Sequence, residues 1–316
     1  RNKAPLSSSR CGISYYTCQE ALQSFYDAFY SITGTVATLE KDIGRLNLSQ
    51  QPIMLLGEEG VGKEQVAAIL YTRGPIHHHP MVSINCALLN DKTWEFLQSS
   101  HSSPFAQSEN TLFISHLSDL SLEQRRFLLA TLTGMEVCRR NRVIFSCVCT
   151  NDVRLPDAAS EFLDTLCCLK LYLPPLREQV KHIPAMISLY LNQLNVSQAH
   201  EVLGMEPDAG QLMQAFPWPH NYSQMKRVLQ ELATLTPTPI ISLETVQRVL
   251  KLENTSPVVH IQGELQAPGR FDLNRTLEEM NREIMKLVLE ECGGNQTSAA
   301  KRLGISRTTL WRVLNS

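Results

Sequence analysis

The sequence contains no run of about 18 apolar residues, so no segment of it reads as a membrane-crossing helix. It carries no large excess of either charge. A formal net charge of −2 excludes a uniformly basic nucleic-acid coat, although a basic patch on one domain stays open. It has no cysteine framework: the nine cysteines are odd in number and scattered. Cys147 and Cys149 form a C-x-C on one strand face and Cys167–Cys168 are adjacent, and neither spacing suits a zinc site. Several lie in apolar runs, where cysteine behaves as a small hydrophobe; reduced, structural thiols and an intracellular setting are expected. No basic-then-apolar leader is present and the first residue is Arg1, so a piece of a longer protein is expected. No internal repeat is visible. What is present is 43% hydrophobic and 19% charged residues over 316 positions, the composition of a packed chain of two or three domains.

Residues 1–16 are Ser-rich and read as a linker from a preceding domain. A helical pattern follows over 17–46, interrupted at Gly34. Short apolar runs then alternate with helical stretches: Ile53–Leu56, Met81–Ile84, Leu112–Ile114, Val143–Val148 and Leu169–Leu173. Such runs suit the buried strands of a parallel sheet. They predict an α/β layer over 17–175, closed by Pro174–Pro175. From 176 to 253 the pattern is all-helical. Residues 254–272 have linker composition, and a last helical module occupies 273–316.

Directly after the first apolar run stands Gly57-Glu58-Glu59-Gly60-Val61-Gly62-Lys63, a G-x-x-x-x-G-K sequence followed by a helix-forming stretch. Glycines let backbone N–H groups curl around a phosphate, and the lysine reaches the terminal phosphates. Glu64 stands where the general motif has a Mg²⁺-binding Ser or Thr. Candidate nucleotide contacts are Gly57, Glu58, Gly60, Val61, Gly62, Lys63 and Glu64.

GEEGVGKE resembles the GExGxGKE loop of the AAA+ domain of sigma-54-dependent transcriptional activators, where Glu also follows the Lys. Further segments resemble that family in order: Val82-Ser83-Ile84-Asn85-Cys86-Ala87-Leu88, the sensor-like Cys149-Thr150-Asn151, Leu173-Pro174-Pro175-Leu176-Arg177-Glu178, and Trp218-Pro219-His220-Asn221. The resemblance implies a P-loop AAA+ parallel sheet with a helical lid, ATP or ADP as ligand, and Asn151 beside the nucleotide.

The departures from the family bear on activity. Its acidic pair at the end of the third strand is replaced by Ser115-His116, where one carboxylate would organise Mg²⁺ and the other polarise water. A catalytic role for His116 is not expected. The interval from Ala87 to Thr111 is short and contains no GAFTGA, the family's sigma-factor contact. The stretch that carries arginine fingers in the family reads Phe162 to Leu169 here and holds no Arg, and Ser223 takes the place of the second sensor Arg. A finger is worth roughly 10³–10⁵ in turnover. No catalytic residue is assigned.

The C-terminal string GNQTSAAKRLGISRTTLWRVL resembles the Fis-type helix-turn-helix. Helix, Gly-containing turn and helix are its signature. Ser306 suits the N-cap of the second helix, and Arg307, Thr308, Thr309 and Arg312 are free to face a major groove. Thr297, Lys301 and Arg302 complete the candidate DNA contacts. Between Gly293 and Ser316 the only charged side chains are the basic Lys301, Arg302, Arg307 and Arg312. The resemblance implies dimerisation through the preceding helix, near Met280, Ile284 and Leu287.

Other features are read structurally. Consecutive His77-His78-His79 cannot all face one ion, Trp218 is expected in a core, and no metal site is assigned. Trp94 is weighed as a stacking residue without assignment. The reading is a cytoplasmic, bacterial, DNA-binding transcriptional regulator: a homodimer with a degenerate AAA+ core that does not engage sigma-54. Two alternatives remain open: an ATP-hydrolysing sigma-54-dependent activator, and a sensor of another phosphate-rich effector, such as a cyclic dinucleotide, in the former nucleotide pocket.

Overall fold

The computed structural model describes residues 11–25, 34–99, 101–150, 155–198 and 201–255, together with Gln296. The chain divides into two compact units, 1–255 and 256–316.

Its centre is a six-stranded sheet in the order β1–β3–β4–β5–β2–β6: β1 (Ile13–Tyr16), β2 (Ile53–Gly57), β3 (Met81–Asn85), β4 (Thr111–Ser115), β5 (Arg142–Val148) and β6 (Leu169–Tyr172). All pairings are parallel except β1 on β3. Strands β2 and β4 are buried at every position, as strands covered on both faces must be. The two-residue period sorts their side chains cleanly. Met54, Leu56, Leu112, Ile114, Val143 and Phe145 enter one core. Ile53, Leu55, Phe113 and Ile144 enter the core on the opposite face.

Helices cover both faces. α1 (Cys18–Phe25), α2 (Gly34–Leu48) and α3 (Lys63–Thr72) supply Ala21, Leu39, Ile43, Val66 and Leu70 to one core. α4 (Asp91–Ser99), α5 (Leu122–Gly134), the short α6 (Val137–Arg140) and α7 (Asp157–Leu166) supply Leu97, Leu128, Leu132, Val137 and Phe162 to the other. α5 begins with a capping box, Ser121 and Gln124 bonding each other's backbone N–H. The thiols Cys147 and Cys149 both lie in this second core, as their C-x-C spacing predicts.

The lid comprises α8 (Ile183–Gln198), α9 (Pro207–Ala215), α10 (Asn221–Leu235) and α11 (Leu243–Thr255), with two-residue strands β7 (Gly204–Met205) and β8 (Ile240–Ile241). It has its own core, with Trp218 wholly buried, its indole N–H donating to the Met213 carbonyl at 2.9 Å and its ring edge-on to Phe216. Arg227 and Glu253 pair at 2.6 Å between α10 and α11.

Two boundaries need correction. The segment 1–16 is not wholly a linker, because Ile13–Tyr16 adds an antiparallel edge strand with Ile13 in the core. The lid also runs beyond 253, since α11 ends at Thr255.

Candidate nucleotide site

The phosphate loop leaves β2 at Gly57, which pairs in register with Val148, and enters α3 at Lys63. Gly60 and Gly62 have φ of +74° and +91°, a region that side chains with a Cβ rarely adopt. A Cβ at Gly60 would overlap the His220 carbonyl oxygen, so this position needs glycine twice over. Gly62 caps α3 without a side-chain bond, which leaves the first helical N–H groups facing the loop.

Lys63 is the buried cation of the site. Its ammonium donates to the carbonyls of Gly57 (3.0 Å) and Glu58 (2.7 Å). Burial pushes its pKa down, opposed by the charge of Glu64. Val61 is buried in the sheet-face core and acts as a packing residue of the loop. Gly57, Glu58, Gly60, Val61, Gly62, Lys63 and Glu64 all lie on the turn from β2 into the first turn of α3. Asn151 lies outside the described residues, as do Thr297, Lys301, Arg302, Ser306, Arg307, Thr308, Thr309 and Arg312.

At the end of β4 stand Ser115 and His116. Ser115 is buried, with its hydroxyl 3.5 Å from the Ile84 carbonyl and 3.1 Å from His116 Nδ1. His116 takes a left-handed backbone conformation, φ +62°. No carboxylate occupies either position. The finger-like stretch holds no arginine: Phe162 is buried edge-on to Phe145, and Leu163 and Leu166 pack against the same core.

One network was not predicted. Arg177 forms a two-armed ion pair with Glu58, its Nη1 and Nη2 donating at 2.7 and 2.5 Å. These donated bonds hold the Glu58 carboxyl below its ordinary range. Asn221 donates to the same carboxylate at 3.1 Å and to the Glu59 carbonyl at 2.9 Å, while its own oxygen accepts from the Leu176 N–H at 2.8 Å. The Tyr222 N–H donates to the Gly60 carbonyl at 3.1 Å. Both Arg177 and Asn221 sit in segments that the sequence singles out. Their pairing with Glu58 crosses 119 and 163 residues and leaves no local pattern.

The interval before β4 is filled and tied down. Ser103 is buried and donates to the Leu97 carbonyl at 2.8 Å, and Phe105 enters the core. Arg140 donates to the carbonyls of Phe105 (2.9 Å), Ala106 (3.0 Å) and Met135 (2.7 Å). Asn141 adds a bond to the Gln107 carbonyl. Among the described residues no group of three or more His, Cys, Asp or Glu could hold a metal ion. His79 faces Glu109 at 3.6 Å and His77 bonds the Gly74 carbonyl.

A mostly parallel sheet carrying a phosphate loop at the end of a central strand, with a separate helical lid against that loop, is the arrangement of an AAA+ core. The comparisons agree segment by segment. A model of the sigma-54 interaction domain matches residues 31–161, one of an AAA+ ATPase lid domain matches 177–260, and one of the Fis family of bacterial regulatory proteins matches 276–315. The DNA-binding transcriptional regulator NtrC of Azospirillum brasilense is 28% identical over 85% of this chain, and ZraR of Klebsiella oxytoca is 29% identical over 84%. The chain covers 65% and 64% of their lengths, a little under two thirds. The solved structure of NtrX from Brucella abortus in complex with ATP shares the fold, with a TM-score of 0.60 at 18% identity over 90% of this chain and 68% of its own. In sequence the chain is thus similar to NtrC and ZraR, with a sigma-54 interaction domain, an AAA+ ATPase lid domain and a Fis-family module in that order.

Proposed function

We propose that this chain is the AAA+ and DNA-binding portion of a bacterial, cytoplasmic transcriptional regulator that holds ATP or ADP without turning it over. Ser115–His116 is the observation that carries the reading. At the strand end where hydrolysis requires carboxylates, a hydroxyl and an imidazole bond each other instead. Neither supplies the negative charge that would hold Mg²⁺ beside a triphosphate. The arginine-free finger stretch and Ser223 agree with it. Lys63, the loop glycines and the helix N-terminus keep what a phosphate needs. NtrX, which shares the fold, is known in complexes with ATP and with ADP.

DNA is the expected macromolecular partner. The Fis-family match covers Lys301, Arg302, Arg307 and Arg312, and the chain is expected to act as a homodimer on double-stranded DNA. Engagement of sigma-54 polymerase is not expected, because the interval that would carry the contact loop is short and bonded down by Arg140 and Asn141.

Titration of the purified chain with ADP and ATP, with and without Mg²⁺, tests the reading, with Lys63→Ala as control. Binding that needs Lys63 and is indifferent to Mg²⁺ is expected. Strict Mg²⁺ dependence, or no binding at all, contradicts it. Light scattering should show dimers, and ATP-induced hexamers would overturn the oligomer assignment.

A further inference from the structure

Where the lid meets the phosphate loop, one side chain bonds two separate segments of the chain. Asn221 is fully buried at the start of α10 and adopts a left-handed backbone conformation, φ +51°. Its amide nitrogen holds the Glu58 carboxylate and the Glu59 carbonyl, and its oxygen holds the Leu176 N–H. Glu58 is in turn gripped by Arg177, one residue beyond Leu176. The next amide in the lid, that of Tyr222, bonds the Gly60 carbonyl. The turn into α10 thereby holds two successive backbone carbonyls of the loop, Glu59 and Gly60, together with the Glu58 carboxylate. Three features show that this contact is shaped rather than incidental. Asn221 uses two N–H donors and one acceptor at once, a set that among side chains only an amide offers. Asparagine tolerates the left-handed region better than other side chains. The glycine at 60 is what lets His220 and Tyr222 come so close.

We propose that Asn221 is a positioning residue of the nucleotide site: it makes the phosphate loop and the lid one mechanical unit, so that a nucleoside diphosphate entering the loop is read out as a change in the lid. The unit replaces the route through an arginine from the lid, since the nearby α10 position holds Ser223, whose Cβ lies 3.2 Å from where a Gly60 Cβ would be. The ligand part of the proposal rests on the nucleotide-binding reading above. The mechanical part does not.

Hydrogen exchange of the full chain, without ligand and with ADP, separates the two. Without ligand, Asn221→Gly, which keeps the backbone conformation and removes all three bonds, should raise exchange at least tenfold both at Leu176 and in the loop at 57–63. Asn221→Asp keeps the acceptor for Leu176 and sets a carboxylate against Glu58. It should raise exchange in the loop while leaving Leu176 protected. If loop exchange in both variants matches the parent, the side chain is local packing only and the proposal is overturned. With ADP, the parent should gain protection in the loop and across 218–224 together, whereas Asn221→Gly should gain it in the loop alone. Protection of 218–224 by ADP in both proteins, or in neither despite binding, overturns the readout. Absence of ADP binding in the parent refutes the readout and the nucleotide reading together, and leaves the unliganded comparison to decide the mechanical coupling.

Discussion

Arg140 sits at the end of α6, and its guanidinium donates at 3.0 Å or less to three carbonyls from two segments, Phe105 and Ala106 in the loop before β4 and Met135 after α5, with a longer 3.5 Å bond to the Gln107 carbonyl. Each hydrogen bond from a charged donor contributes about 1.5–3 kcal/mol. Simple addition over three bonds overstates the effect, because Arg140 is only half-buried and the loop carbonyls regain water when it is removed. A loss of about 2–3 kcal/mol is expected for Arg140→Ala. At roughly 2–4 °C per kcal/mol for a unit of this size, Tm should fall by about 4–12 °C. Arg140→Lys should recover less than half of the loss, since an ammonium lacks the planar fork that reaches all three oxygens. Scanning calorimetry reads the first quantity. Limited proteolysis reads the second: the 101–110 segment should be cut many times faster in Arg140→Ala. A Tm within about 1 °C of the parent, with unchanged cleavage, would show that the loop is held without Arg140 and would refute the reasoning.

Three further outcomes are expected. Gly60→Ala forces a strained φ and drives its Cβ into the His220 carbonyl, so it should undock the lid from the loop and lower Tm by several degrees; circular dichroism melts check this, and an unchanged Tm would contradict the close approach. Arg177 holds the Glu58 carboxyl below its ordinary value, so the contribution of that pair is complete above the unfolded-state value and lost as pH falls through the lowered one. Stability of the parent relative to Glu58→Gln should therefore be constant from about pH 7 to about 5 and vanish only in more acid solution; an advantage already lost at about pH 6 would argue against the pair. Thiol labelling should divide the cysteines: exposed Cys11 and Cys167 react readily, whereas burial protects Cys86, Cys138 and Cys168, with pKa pushed up to about 12, 11 and 12. Mass spectrometry of early adducts reads this directly, and early labelling of Cys86 would contradict the packing at the end of β3.

The strands flanking the phosphate loop were legible because they are covered on both faces, and a continuous apolar run as short as Ile53–Leu56, bounded by turn residues, suits a buried strand far better than a helix. Strand β1 was not. Its residues Ile13-Ser14-Tyr15-Tyr16 follow a Ser-rich stretch, only Ile13 is buried, and an edge strand paired on one side needs little apolar length. The loop residues were legible as a motif, and Trp218 as core. The roles of Arg177 and Asn221 were not, although both belong to motifs read from the sequence: their partner Glu58 lies more than a hundred residues away, and only the fold brings the three together. Arg140 and the capture of the 101–110 segment were hidden for the same reason, because its acceptors are backbone carbonyls, which carry no side-chain signature.

Steady-state ATP hydrolysis by the purified chain, with Mg²⁺, with and without double-stranded DNA, and beside Lys63→Ala, addresses the central claim most directly. With Ser115–His116 at the strand end and no arginine in the finger stretch, turnover should be indistinguishable from Lys63→Ala under every condition. Hydrolysis that depends on Lys63 and rises with protein concentration or DNA would show that catalytic groups are assembled elsewhere, and would contradict the account of a core that holds nucleotide without using it.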